Sequence, residues 1–180
     1  SSLAAHFAEA TCRRGERAIY FSFEESSSQI IRNMSSIGID MESWVKKGLL
    51  LFQSSRPTLT GLESHLSIMI KAIDTFKPSV VVVDPLNSFV NGENQADVKL
   101  MLMRLVDYLK SKEVTGLITS LRDETNPVTA GLKVGISSLV DTWLSLSSLE
   151  TGSERNRSIY VLKSRGMAHS NQIREFLLTN

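Results

Sequence analysis

The stretch Ser79–Ser88, SVVVVDPLNS, constrains the fold more than any other. Four consecutive valines with no polar alternation read as a strand covered on both faces, the habit of a parallel sheet between helices. The run ends in Asp84, and in open α/β sheets ligands gather outside the carboxyl ends of the strands. A carboxylate there is placed to hold a magnesium ion, or its water shell, over a nucleotide phosphate. Taken alone, Asp84 reads first as a cap on the next turn, and the rest of the chain shifts that balance.

The flanking sequence alternates helix and strand. Ser1 to Arg14 has Leu3, Phe7 and Ala10 or Thr11 at helical spacing and ends in two arginines and Gly15. Ala18–Phe23 is a short apolar strand with Glu24 and Glu25 at its tip. Ser26-x-x-Gln29 is a capping box that opens a helix with Ile30, Ile31, Met34 and Ile37 on one face and Gly38 at its close. Leu49–Phe52 is the next strand. Thr60-x-x-Glu63 is a second capping box, opening a helix to Phe76 with Leu62, Leu66, Met69, Ile70 and Ile73 inward, stopped by Lys77-Pro78. After a polar loop, Asn91–Gln95, comes a long helix, Ala96–Lys112, with Val98, Leu102, Leu105, Val106 and Leu109 inward. The strand Thr115–Leu121 follows. Arg122–Gly135, with Pro127, Gly131 and Gly135, reads as a loop of the kind that carries function. Three strand-like runs close the chain, Asp141–Leu149, Ser158–Lys163 and Arg174–Thr179, joined through Gly152 and Gly166. The order predicts an α/β fold, a mostly parallel sheet between helices, extended at its C-terminal edge by antiparallel strands.

Composition narrows the function classes. With 180 residues the chain is long enough for a proper core, and a formal net charge of +1 gives no global field for nucleic acid or an acidic membrane. No apolar stretch reaches bilayer-spanning length, and no signal-peptide pattern is present. The single cysteine, Cys12, has no partner for an internal disulfide and reads as a small apolar residue on the first helix, compatible with a reducing, cytoplasmic setting.

The chemistry-bearing residues fall on one side of such a sheet. Glu24-Glu25, Asp84 and Thr119-Ser120 with Arg122 all end strands, and Ser1-Ser2 begins a helix. Paired carboxylates beside a phosphate can orient a water for attack, although acids at a helix N-terminus are favourable in any case. Lys163-Ser164-Arg165-Gly166-Met167-Ala168-His169 sets two cations two residues apart on a strand, so both project to one face, as suits an anion; charge protection of an edge strand is the plainer alternative. His169 alone reads as an ordinary loop histidine.

Together these stretches resemble the KaiC branch of the RecA-like ATPases over nearly the whole chain, Ser1 to Asn180. Glu16–Ser26 resembles the strand with the family's catalytic Glu-Glu pair, SVVVVDPLNS its Walker B strand, KSRGMAH its Lys-x-Arg-Gly-x-x-His motif, and Ile173–Asn180 the strand that follows. The resemblance implies a single RecA-like P-loop NTPase domain over 1–180. It aligns Ser1 with the last Ser/Thr of GxxxxGK[ST], so the chain is expected to begin inside its own Walker A motif, without its first strand and most of the phosphate loop.

It further implies ATP and Mg²⁺ as cofactors, with Ser1 as a Mg²⁺ ligand and Asp84 holding the ion through water. Glu24 and Glu25 become the general-base pair, and Lys163, Arg165 and His169 act in trans on a neighbour's phosphate. A site built from two chains implies a closed ring, expected to be a hexamer, with a KaiB-like protein as a further partner. The family's clock protein has adjacent phosphorylated Ser and Thr before the strand near Asp141. Gly131 and Leu132 fall at those positions here, with Thr129, Ser137 and Ser138 only nearby, so ATP binding and slow hydrolysis are implied and autokinase activity is not. Two other readings stand beside this one. One is a non-hydrolysing scaffold of the same fold. The other is a recombinase-like DNA-binding ATPase, disfavoured because Arg122 and Lys133 are interrupted by Asp123 and Glu124 and form no basic stripe.

Overall fold

A computed structural model describes residues 1–56, 61–90, 94–121, 136–151 and 154–176. Thr60, most of the Asn91–Gln95 loop, all of the Arg122–Gly135 loop, Gly152 and the last residues of the closing strand lie outside these. The chain divides into two compact units, Ser1–Leu132 and Lys133–Asn180.

The first unit is a four-stranded parallel sheet with helices. In chain order it contains α1 (Ser2–Arg13), β1 (Ala18–Ser22), α2 (Ser27–Ser35), α3 (Met41–Lys46), β2 (Leu50–Ser54), α4 (Leu62–Phe76), β3 (Val80–Asp84), a 3₁₀ turn (Leu86–Phe89), α5 (Gln95–Ser111) and β4 (Thr115–Ile118). The strand order is β2-β1-β3-β4. Both central strands are buried along their whole length, as the unbroken apolar runs predict. Ala18, Tyr20, Val80 and Val82 share a cluster with Leu50, α1, α2 and Ile39 and Met41. The alternate residues Ile19, Phe21, Val81 and Val83 are buried on the opposite face of the pleat, and α4 and α5 pack on each other.

The helices follow the periodicity with two corrections. Of the residues at helical spacing on α1, Leu3, Phe7 and Ala10 or Thr11, only Thr11 is buried. Ala4, Ala5, Ala8, Thr11 and Cys12 are buried, while Phe7 is 39% exposed. Alanines let the helix backbone approach β1 and β3, where Tyr20 and the valines already supply the bulk. The cap of α4 is Gly61, one residue after the expected Thr60. The capping box of α2 is present as read: Ser26 Oγ accepts from the Gln29 N–H and Gln29 Oε1 accepts from the Ser26 N–H.

Helix α3 is too short for a periodic signal. Its local marks are Asp40, whose carboxylate caps the Ser43 N–H, and the Glu42–Lys46 ion pair at 2.7 Å. Gly15, at φ +80°, turns the chain out of α1 in a conformation costly for any side chain. Cys12 is buried; burial and then Glu9 push its thiol pKa up to about 11, which keeps it protonated and inert. Among the described residues no helix is long and apolar enough to cross a membrane.

The second unit contains a three-stranded antiparallel sheet in the order β5 (Thr142–Thr151), β6 (Glu154–Ser164), β7 (Arg174–Glu175). β6 begins four residues before the expected Ser158, because ladder pairing with β5 carries a polar stretch that has no apolar alternation. The antiparallel strands near the C-terminus are therefore present, paired into a sheet of their own.

Replacing Ser26 with Ala removes one half of the reciprocal cap of α2. It should lower the unfolding free energy by about 1 kcal/mol, read as a lower denaturant midpoint at unchanged slope.

Candidate functional site

The site is built at the carboxyl ends of β1, β3 and β4. Parallel register sets Ser22 opposite Asp84, and Val83 opposite Ile118. Backbone pairing continues past the strand ends: Phe23 N–H donates to Asp84 O at 3.0 Å, and Thr119 N–H to Val83 O at 3.0 Å. Thr119, which makes the second of these bonds, and Glu24, the residue after the first, are thus fixed relative to Asp84 by main chain.

Asp84 is 6% exposed, and a buried carboxylate needs hydrogen-bond donors. Tyr20 Oη donates to Oδ2 and Thr119 Oγ1 to Oδ1. The Ser1 hydroxyl also hydrogen-bonds to this carboxylate. Burial by itself would raise the Asp84 pKa; the hydrogen bonds from Thr119, Tyr20 and Ser1 outweigh it and hold the pKa below the ordinary value. Burial, then the charge of Asp84, pushes the Tyr20 phenol far above its usual range, so it stays a donor.

Ser1 stands at the N-cap of α1 but does not cap that helix with its side chain, and the first turn of α1 has no acidic residue. The amino end of α1 therefore keeps its partial positive charge beside a hydroxyl already turned to a strand-end carboxylate. The donor set fits a phosphate with its divalent cation: a hydroxyl with a lone pair to offer, a carboxylate saturated enough to act through water, and a helix N-terminus for the anion. Among the described residues no group of three His, Cys, Asp or Glu could hold a metal by itself.

Glu24 and Glu25 occupy the short link between β1 and the cap of α2, and the structure sends them to different partners. Glu24 Oε1 accepts from Ser88 Oγ at 3.0 Å, on the 3₁₀ turn after β3. Glu25 Oε2 accepts from the Asn33 amide on α2 at 3.1 Å, and its backbone carbonyl accepts from Ser22 Oγ at 2.6 Å. Glu25 also bears electrostatically on Tyr20, which sets it on the Asp84 side.

Asn87 was not legible as a site residue. Its Oδ1 accepts from Ser120 Oγ at 2.9 Å and from the Leu121 N–H at 2.6 Å, tying the turn after β3 to the chain leaving β4. Tyr20 was equally hidden inside the apolar run AIYFSF, where its one polar atom was the only signal. Behind the pair, Phe23, His65 and Phe89 form an edge-to-face cluster with centroids 4.3–6.0 Å apart.

Ser1, Glu24, Glu25, Asp84 and Thr119 thus come together in the first unit, while Arg122 lies outside the described residues. In the second unit Lys163 Nζ donates to the carbonyls of Ser137 and Val140, and Arg165 Nη2 to that of Ser138 at 2.7 Å. Arg165 also lies 3.6 Å from the Asp141 carboxylate. The two cations do project to one side, onto one turn of their own chain. His169 is exposed, with Nδ1 3.4 Å from the Ser170 carbonyl.

The folded-state pKa of Asp84 lies below its unfolded value. Its stabilising share is complete above about pH 4 and is lost as pH falls through the folded value. Asp84→Asn should therefore show a shallower loss of unfolding free energy below about pH 4 than the parent chain; equal slopes in acid denaturant titrations would remove Asp84 as a contributor.

Comparison with known proteins identifies the family. A model of the family described as "ATPase: KaiC" matches residues 1–180. The chain is 48% identical to the "Circadian clock protein KaiC2" of Synechocystis sp., covering all of this chain and 32% of that protein. It is 38% identical to the "Circadian clock oscillator protein KaiC" of Picosynechococcus sp., covering 98% of this chain and 34% of the relative. Against the "Circadian clock oscillator protein KaiC" of Synechococcus elongatus it is 34% identical, covering 99% and 34%. The chain spans about a third of the length of these curated relatives. With the whole chain matched and the strand-end cluster in place, the chain belongs to the KaiC family of RecA-like ATPases.

Proposed function

We propose that this chain binds ATP with Mg²⁺ and hydrolyses it slowly at the interfaces of a ring. The observation that carries this reading is the strand-end cluster: Ser1 hydrogen-bonded to a buried, ionised Asp84, with two carboxylates one strand away. Ser1 would offer its hydroxyl to the cation, Asp84 would hold the cation's water, and the amino end of α1 would take the phosphate oxygens. The cation, when bound, screens phosphate charge as it develops. Glu24 and Glu25 would orient a water and take its proton. Asn33 and Ser88 give the two carboxylates separate hydrogen-bond partners and so hold them apart.

Lys163, Arg165 and His169 would serve the nucleotide of an adjacent subunit in a hexameric ring. The support is that both cations reach one side of the sheet's end; Lys163 uses two of its three N–H donors on its own chain. Autophosphorylation is not part of this reading, since the resemblance, counted back from Asp141 without gaps, sets Gly131 and Leu132 at the positions of the family clock protein's phosphorylated pair. A role in a circadian system is the corresponding physiological proposal, drawn from the names of the relatives; a KaiB-like partner and a cytoplasmic setting belong to the same proposal and rest on the family resemblance alone.

Two measurements on the full-length protein test the reading. Light scattering with Mg-ATP should show a shift to a ring of about six chains, and Lys163→Ala with Arg165→Ala should abolish that shift. Glu24→Gln with Glu25→Gln should lower ATP turnover by about 100-fold or more while leaving assembly intact. Unchanged turnover in this double variant would remove the pair as general base.

A further inference from the structure

Tyr20 has no part in the chemistry just described, yet from within the core it delivers its one polar side-chain atom to Asp84. Its ring is fully buried, tilted at 37° against Phe52 with centroids 5.3 Å apart, so the position of the hydroxyl is set by the core rather than by the site. That hydroxyl donates to Asp84 Oδ2, while Thr119 serves Oδ1 from the other neighbouring strand. A carboxylate offers about four lone-pair sites. Tyr20, Thr119 and Ser1 together occupy three, and the two strand-borne donors approach from opposite sides.

We propose that Tyr20 is a positioning residue for cation binding: by fixing the Asp84 carboxylate jointly with Thr119, it confines Asp84 to accepting from a water of a phosphate-bound divalent cation. This rests on the ATP-binding reading above. Without the Tyr20 hydroxyl, Oδ2 regains a lone pair and the carboxylate regains rotational freedom, so its alignment to the cation's water shell has to be achieved at binding. Partners of this outer kind commonly alter metal affinity by about 10- to 100-fold when removed. The ring of Phe retains the packing against Phe52, so the hydroxyl can be tested apart from the core.

The test uses full-length protein and a fluorescent ADP analogue, titrated with Mg²⁺ at fixed nucleotide and again in EDTA. Tyr20→Phe should raise the half-saturating Mg²⁺ concentration by about 10-fold and leave nucleotide affinity in EDTA unchanged. Thr119→Val, which removes the opposing donor at similar volume, should move it in the same direction, and decides the matter should Tyr20→Phe not fold. A Mg²⁺ requirement equal to that of the parent in the folded variants overturns the inference. So does an equal loss of affinity with and without Mg²⁺, which marks a purely structural hydroxyl. Failure of the parent protein to bind the nucleotide at all defeats the ATP-binding reading itself, a result separate from either of these.

Discussion

At the centre of the first unit is an ionised carboxylate that the sheet has nearly removed from water. Asp84 ends a strand buried on both faces, and desolvation there opposes its charge. Three hydroxyls reverse that balance, and each comes from a different element: Tyr20 from β1, Thr119 from the end of β4, Ser1 from the start of α1. Strand order β2-β1-β3-β4 is what makes this arrangement available, since β3 has neighbours on both sides to contribute a donor each. The carboxylate therefore reports on the correct assembly of the sheet as much as on any ligand.

The two glutamates obey a different rule. Adjacent in sequence, they would repel if they shared a site. The link between β1 and α2 turns one toward Ser88 and the other toward Asn33. The link is short because Ser26 caps α2 at once, and Ser22 pins the Glu25 carbonyl. Orientation of the pair is thus a property of the turn, fixed by serine hydroxyls on either side of it.

Much of this was legible in the sequence. The valine run before Asp84 fixed a covered strand, and the positions of Glu24-Glu25 and Thr119 at strand tips followed from where the neighbouring apolar runs stop. What the sequence concealed has physical causes. Periodicity weights large apolar residues, so it chose Leu3 and Phe7 for the buried face of α1 where close approach demanded alanines. Six residues of α3 span under two turns, too few for a repeat. Tyr20 and Asn87 act through single polar atoms aimed across strands, and one-dimensional spacing has no term for a neighbour 64 or 33 residues away.

The hold of Lys163 and Arg165 on the carbonyls of residues 137, 138 and 140 has a consequence for the second unit. Those carbonyls belong to one turn, and the cations are their donors. An anion that draws either side chain away must leave carbonyls of that turn to find other partners, and a turn that tightens its grip must weaken the anion. The charge state of whatever approaches this strand end and the conformation of a segment more than twenty residues earlier are then two readings of a single equilibrium.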